Sequence, residues 1–147
     1  MADLLLVDND ARIVELVAFF LRRSGHAVRT AGSFAAARAE LARARPDLVL
    51  SDLDLGAERG LEELPRLARE GLLPPTLVVS GYLDRAAQLE LERLPAIVGV
   101  LAKPFDLDVL VARIAEALAQ APAAGRAAPA ADADEGWVEL APEARAP

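Results

Sequence analysis

The chain has 147 residues, 54% of them apolar, a net charge of −7 and no cysteine. That length suits one domain of ordinary size. The composition excludes disulfide and thiolate-metal chemistry and lacks the basic stripe that direct nucleic-acid binding requires. No apolar run approaches the roughly 20 residues that span a bilayer. MADLLLVDND has no positive start of the kind a signal peptide carries, so the expectation is a cytoplasmic protein with no membrane contact.

Aromatic residues are scarce (four Phe, one Trp, one Tyr), so Leu, Val and Ala must build the core. Four short apolar runs stand out: Leu4–Val7, Leu48–Leu50, Leu77–Val79 and Ile97–Ala102. None alternates with polar residues, which is how strands buried on both faces of a parallel sheet read. Ala27–Thr30 alternates somewhat and suits an edge strand.

Segments of helical period lie between the runs. Ala11–Arg23 places Ile13, Leu16, Val17 and Phe20 on one stripe, and Ser24-Gly25 ends it. Phe34–Arg43 follows an N-cap at Ser33 and stops before Pro46. The third helix, around Leu61–Glu70, ends at Gly71 and contains Pro65, so it is expected to start late or to bend. Asp84–Leu94 stops before Pro95, and a fifth helix starts near Asp106 and runs to about Gln120 with Leu110, Ile114, Ala117 and Leu118 inward.

Five β-α units in about 120 residues predict a doubly wound parallel α/β sheet with right-handed crossovers. The expected domain is 1–120. Residues 121–147 form an Ala/Pro-rich acidic tail of net charge −3, too short for a core of its own and read as flexible. Within it, Gly136-Trp137-Val138-Glu139-Leu140 is a small apolar island; Trp137 could be solvated, packed back on the domain or part of a docking motif. His26, the only histidine, is read as structural.

In such sheets ligands sit beyond the carboxyl ends of the strands. The first run delivers Asp8, followed by Asn9 and Asp10; the second delivers Ser51-Asp52, followed by Asp54; the later two deliver Ser80 and Lys103. Lys103 is the only lysine, in a chain that otherwise uses arginine for positive charge. Carboxylates without His or Cys suit a hard cation such as Mg²⁺. Asp52 would be a nucleophile forming an acyl phosphate, with Ser80 and Lys103 holding phosphoryl oxygens, since positioning and charge neutralisation carry most of phosphoryl transfer.

Four segments in this order and spacing, LLLVDND, PDLVLSDLDLGAERGLEEL, TLVVSG and LAKPFDLDVL, resemble the receiver domain of two-component response regulators from Asp3 to about Gln120. Gly60 falls eight residues after Asp52, and Lys103-Pro104-Phe105 matches the family's lysine-proline signature. The resemblance implies a CheY-like, flavodoxin-like sheet of five strands in order 2-1-3-4-5 with five helices. It implies phosphorylation of Asp52 by a histidine kinase or phosphotransfer protein, and Mg²⁺ held by Asp8, Asp52 and the backbone carbonyl of Asp54. It further implies phosphoryl contacts from Ser80 and Lys103, a cis peptide before Pro104, and output through the surface of the fourth helix, fifth strand and fifth helix. The partners implied are proteins, the chain itself being a monomer or weak homodimer.

Three positions depart from the family pattern. Asn9 stands where a second adjacent acid is usual, which weakens the Mg²⁺ ligand set unless Asp10 compensates. Gly56 replaces a proline, implying a more mobile loop, and Val100 replaces the aromatic switch residue. Two other readings stay open. One is a degenerate receiver acting as a phosphorylation-independent binding module. The other is a small haloacid-dehalogenase-like phosphatase built on Asp8-Asn9-Asp10; the acids after Lys103, Asp106 and Asp108, sit at a helix start rather than a strand end, and Asp52 would have no role in it.

Overall fold

The computed structural model describes residues 2–120; the expected tail, with Trp137, lies outside them. Strands β1 (Asp3–Val7), β2 (Ala27–Ala31) and β3 (Leu48–Asp52) are followed by a two-stranded hairpin, β4 (Asp54–Leu55) and β5 (Glu58–Arg59). Strands β6 (Thr76–Ser80) and β7 (Ile97–Ala102) complete the set. Helices α1 (Ala11–Arg23), α2 (Phe34–Arg43), α3 (Gly60–Arg69), α4 (Arg85–Glu92) and α5 (Leu107–Gln120) connect or follow them. The main sheet runs β2-β1-β3-β6-β7, parallel throughout. This is the 2-1-3-4-5 order of the five principal strands, and hence the doubly wound fold expected.

The apolar runs become strands because both faces are covered. In β1, Leu4 and Leu6 face α1 and α5, while Leu5 and Val7 face α2, α3 and α4. The same alternation divides Leu48 and Leu50 from Val49 in β3, and Leu77 and Val79 from Val78 in β6. With each face apolar, the period-2 signal vanishes from the sequence although the side chains still alternate.

Helix boundaries follow local chemistry. The side chains of Asp10, Ser33 and Asp84 accept from the first free amides of α1, α2 and α4. Gly25 and Gly71 take positive φ of 99° and 74° just past α1 and α3. One expectation is corrected and another narrowed. The buried stripe of α1 is Val17, Ala18 and Leu21, with Val14 half-buried; Ile13 and Leu16 are exposed and Phe20 is half-buried. Apolar residues cover so much of this helix that periodicity fits two stripes about 100° apart, and only docking against the sheet selects one. Of the late start or bend expected for α3, the late start is excluded: the helix begins at Gly60 and carries Pro65 within it, with Leu64 and Leu67 buried on either side.

The hairpin follows β3 directly. Gly56 supplies φ of 67° at the first position of the two-residue turn between Leu55 and Glu58, the place where glycine favours a tight hairpin. Glu58 accepts from the Phe34 backbone amide at 2.7 Å, tying the hairpin to the start of α2. The Gly60 amide donates to the Leu53 carbonyl, and a Cβ at Gly60 would collide with that oxygen and come within 2.9 Å of Leu53 Cδ1. Gly60→Ala should therefore cost about 2 kcal/mol through overpacking against backbone, read as a lower midpoint in urea unfolding.

His26 Nδ1 accepts from the Ala2 amide at 3.3 Å, a bond that needs the neutral ring. Burial holds its pKa below the ordinary 6.5. The folded state thus binds fewer protons than the unfolded chain in that window, and stability falls as pH drops below about 6.5 through the lower folded pKa. Thermal melts from pH 7.5 to 5.5 should show this slope, and His26→Gln should flatten it.

Candidate functional site

The chain order places β1 beside β3, with β2 beyond β1 and β6 beyond β3, so the direction of winding reverses between β1 and β3. Open α/β sheets form their ligand crevice at that point. Val7 pairs with Ser51, so the next residue of each strand, Asp8 and Asp52, emerges side by side above the sheet. The backbone fixes both: the Asp8 amide donates to the Ala31 carbonyl at 3.1 Å, and the Leu53 amide to the Val79 carbonyl at 3.1 Å.

Two neighbouring carboxylates repel, and here one ammonium joins them. Lys103 Nζ lies 3.0 Å from Asp52 Oδ2 and 3.5 Å from Asp8 Oδ2. It arrives from the end of β7, where its amide donates to the Ser80 carbonyl at 2.8 Å, and the Lys103–Pro104 peptide is cis. Burial alone would lower the lysine pKa; the hydrogen bond and charge of Asp52, with those of Asp8, outweigh it and hold the pKa above 10.5. Asp8 is nearly buried, with a side-chain exposure of 7%, whereas Asp52 at 14% and Lys103 at 28% open to solvent. Asp8 Oδ1 also accepts from the Asp10 amide at 2.9 Å. Beneath the three groups lies a small apolar recess lined by Leu6, Val17, Val79, Phe105 and Leu110. These side chains form an apolar wall beside the polar groups.

The other candidate residues sit nearby in different circumstances. Asp10 is engaged as the N-cap of α1, its Oδ1 accepting from the Arg12 and Ile13 amides at 3.1 and 3.4 Å, so its carboxylate serves the helix in this arrangement. Asn9 lies toward the hairpin, with Nδ2 3.5 Å from where a Cβ on Gly56 would stand. Ser80 reaches the site edge at the end of β6, but its hydroxyl donates to the Tyr82 carbonyl at 2.6 Å and accepts from the Tyr82 amide at 3.2 Å. Val100 is half-buried among residues facing α2–α4, and its carbonyl accepts from Arg113 Nη2 at 3.0 Å. No isolated motif marks Arg113, Glu58 or Tyr82 in the sequence; each becomes visible only when strands and helices are assembled.

For a cation, the donor set is two carboxylates plus neutral oxygens. Among the described residues, no three His, Cys, Asp or Glu side chains converge as a metal-binding group. The Asp54 carbonyl is nevertheless free of the hairpin ladder. The bond from the Gly60 amide to the Leu53 carbonyl makes that pair hydrogen-bonded, so the adjacent pair, Asp54 and Arg59, is the non-bonded one. Hard oxygen donors with few carboxylates suit Mg²⁺, which keeps several waters of its own. The residues present therefore fit such an ion, with a weaker charge complement than three acids would give.

Residues 4–115 match the response regulator receiver domain family. The chain is 35% identical over 111 residues to the nitrogen assimilation regulatory protein NtrX of Azorhizobium caulinodans, covering 74% of this chain and 24% of that protein. It is 33% identical over 114 residues to the response regulator protein PmrA of Pseudomonas aeruginosa, covering 76% of this chain and 50% of the relative. The chain thus spans half or less of these two curated relatives. The chemotaxis protein CheY4 of Vibrio cholerae superposes with a TM-score of 0.73 at 26% identity, over 80% of this chain and 98% of that one. No helix among the described residues is long and apolar enough to cross a membrane. Fold, strand-end residues and sequence agree: this chain belongs to the response regulator receiver domain family of two-component signalling.

Proposed function

We propose that the chain is a phosphorylatable switch whose acceptor is Asp52. The observation that carries this reading is the single ammonium of Lys103 shared between Asp52 and the more buried Asp8. Asp52 is the more exposed of the two acids and opens to a partner. A carboxylate oxygen of Asp52 attacks the phosphorus of a phosphoryl group carried on a partner's histidine. The new O–P bond forms as the N–P bond breaks, and the ring, already protonated on its other nitrogen, leaves as neutral imidazole. The donor is a histidine kinase or phosphotransfer protein.

Mg²⁺ would be held by Asp8, Asp52, the Asp54 carbonyl and the Asn9 side chain, and it supplies charge neutralisation for the incoming phosphoryl oxygens. Lys103 exchanges part of its hydrogen bonding from Asp52 to the phosphoryl group, moving positive charge where negative charge develops. Ser80 contributes once its hydroxyl leaves the Tyr82 turn. The output is protein contact through the α4–β7–α5 face, where Leu89 and Val109 are exposed, in a cytoplasmic protein that is a monomer or weak homodimer. Asn9 is the departure that motivates a second reading, a receiver that binds its partner without phosphorylation. The phosphatase reading gains nothing: Asp10 caps α1, and Asp52 holds the central position.

Beryllofluoride with Mg²⁺ should bind the wild type and shift amide NMR signals at Asp8, Asp52, Ser80 and Lys103, then on α4 and α5. Asp52→Asn should abolish the response. Silence of the wild type at millimolar Mg²⁺ selects the phosphorylation-independent reading. Asn9→Asp adds one negative charge to the ligand set. A unit charge about 4 Å from a divalent ion is worth about 2 kcal/mol even at the dielectric of water, so Mg²⁺ affinity in a direct titration should rise about tenfold or more.

A further inference from the structure

We infer that Gly136-Trp137-Val138-Glu139-Leu140 of this same chain docks on the outward face of α1, over Leu16 and Phe19. The face is exposed and apolar on successive turns: Ile13 is 37% exposed, Leu16 54% and Phe19 60%. Stripes of this kind rimmed by polar residues mark interaction surfaces. Its rim is basic. Arg12, Arg22 and Arg23 are exposed on α1 against the single acid Glu15, and the Arg23 guanidinium stands 5.7 Å from the centre of the Phe19 ring.

The proposed occupant has the complementary chemistry. Residues 121–147 carry five acids and two arginines, and Trp137, Val138 and Leu140 are their only large apolar side chains. Asp132, Asp134 and Glu135 precede Trp137 and Glu139 follows it, so the apolar island is flanked by charge opposite to the rim of α1. An indole set against Leu16 and the Phe19 ring would bury apolar surface on both sides and place Arg23 near a second aromatic face.

Topology brings the two together. Helices α1 and α5 pack on the same face of the sheet, sharing one core through Val17, Ala18, Leu21, Ile114 and Ala117. Both start at the carboxyl edge of the parallel strands and run back, so Gln120 ends near the last turn of α1. Fully extended, fifteen residues reach at most about 50 Å, against the roughly 20 Å length of the thirteen-residue α1, so residues 121–135 are long enough to connect the two. A tether of that reach gives an effective concentration of about millimolar, which favours this segment over a second copy in dilute solution.

Trp137 is the only tryptophan, so its fluorescence reads the contact directly, in the unmodified full chain without Mg²⁺. Relative to a synthetic peptide of residues 131–147, its emission should lie to the blue and its quenching by acrylamide should be several-fold weaker. Leu16→Glu and Phe19→Glu, both at exposed positions and checked by far-ultraviolet circular dichroism, should each return emission and quenching to the peptide values. Peptide-like quenching in the wild type overturns the inference, as does a protected indole that neither substitution disturbs. A blue shift that fades on dilution also overturns it and gives the α1 face to a second copy.

Discussion

Two carboxylates emerge from adjacent parallel strands, and the sheet register leaves them no freedom to separate. Asp8 and Asp52 follow Val7 and Ser51, which are paired across β1 and β3. Their repulsion is met by Lys103 at 3.0 and 3.5 Å. At an effective dielectric near 20 a pair at about 3 Å attracts by about 5 kcal/mol, most of which desolvation offsets. The cluster keeps a net negative charge, and it sits where the strands open to solvent. A site of this kind attracts a cation, and an anionic ligand settles there only with positive charge beyond that of Lys103.

The rest of the fold serves that placement. Three central strands buried on both faces, flanked by β2 and β7, make a stiff platform, and the loops at their carboxyl ends carry the polar groups. The hairpin after β3 is anchored three ways: the Gly56 turn, the Glu58 contact to the start of α2, and the Gly60–Leu53 bond. Together they hold the Asp54 carbonyl outside the ladder. On the other side of the site, the Ser80 hydroxyl is tied to both backbone groups of Tyr82. The β6–α4 loop is therefore hydrogen-bonded to the side chain that ends β6, one residue beyond Val79, the partner of Asp52 in the sheet.

Much of this was legible in the sequence, for physical reasons that differ by element. Strands buried on both faces read as unbroken apolar runs, and helices capped by Asp10, Ser33 and Asp84 announce their starts. Asp8, Asp52, Ser80 and Lys103 were legible because each lies within two residues of the end of an apolar run. The phase of α1 was not, because Ile13, Val14, Leu16, Val17, Phe19, Phe20 and Leu21 surround most of the helix and only contact with the sheet breaks the tie. Nor was the division of labour between neighbouring polar residues. Asp10 and Asp8 look equivalent in sequence, yet one caps a helix and the other faces Lys103. A tight hairpin of two strands of two residues each has too few positions to produce any periodic signal.

The departures at positions 9 and 56 are best understood as one local change. A proline at 56 would require φ near −65°, whereas Gly56 sits at 67° to turn the chain from β4 into β5. The turn brings Gly56 against Asn9, whose Nδ2 lies 3.5 Å from the place of a Cβ there. A neutral amide in this position can donate toward the hairpin while its oxygen remains available to a cation; a carboxylate has no donor to offer the turn. The neutral side chain at position 9 thus lies against the turn of the loop that carries Asp54. Restoring an acid at position 9 changes the electrostatics of the site and the packing of the hairpin together.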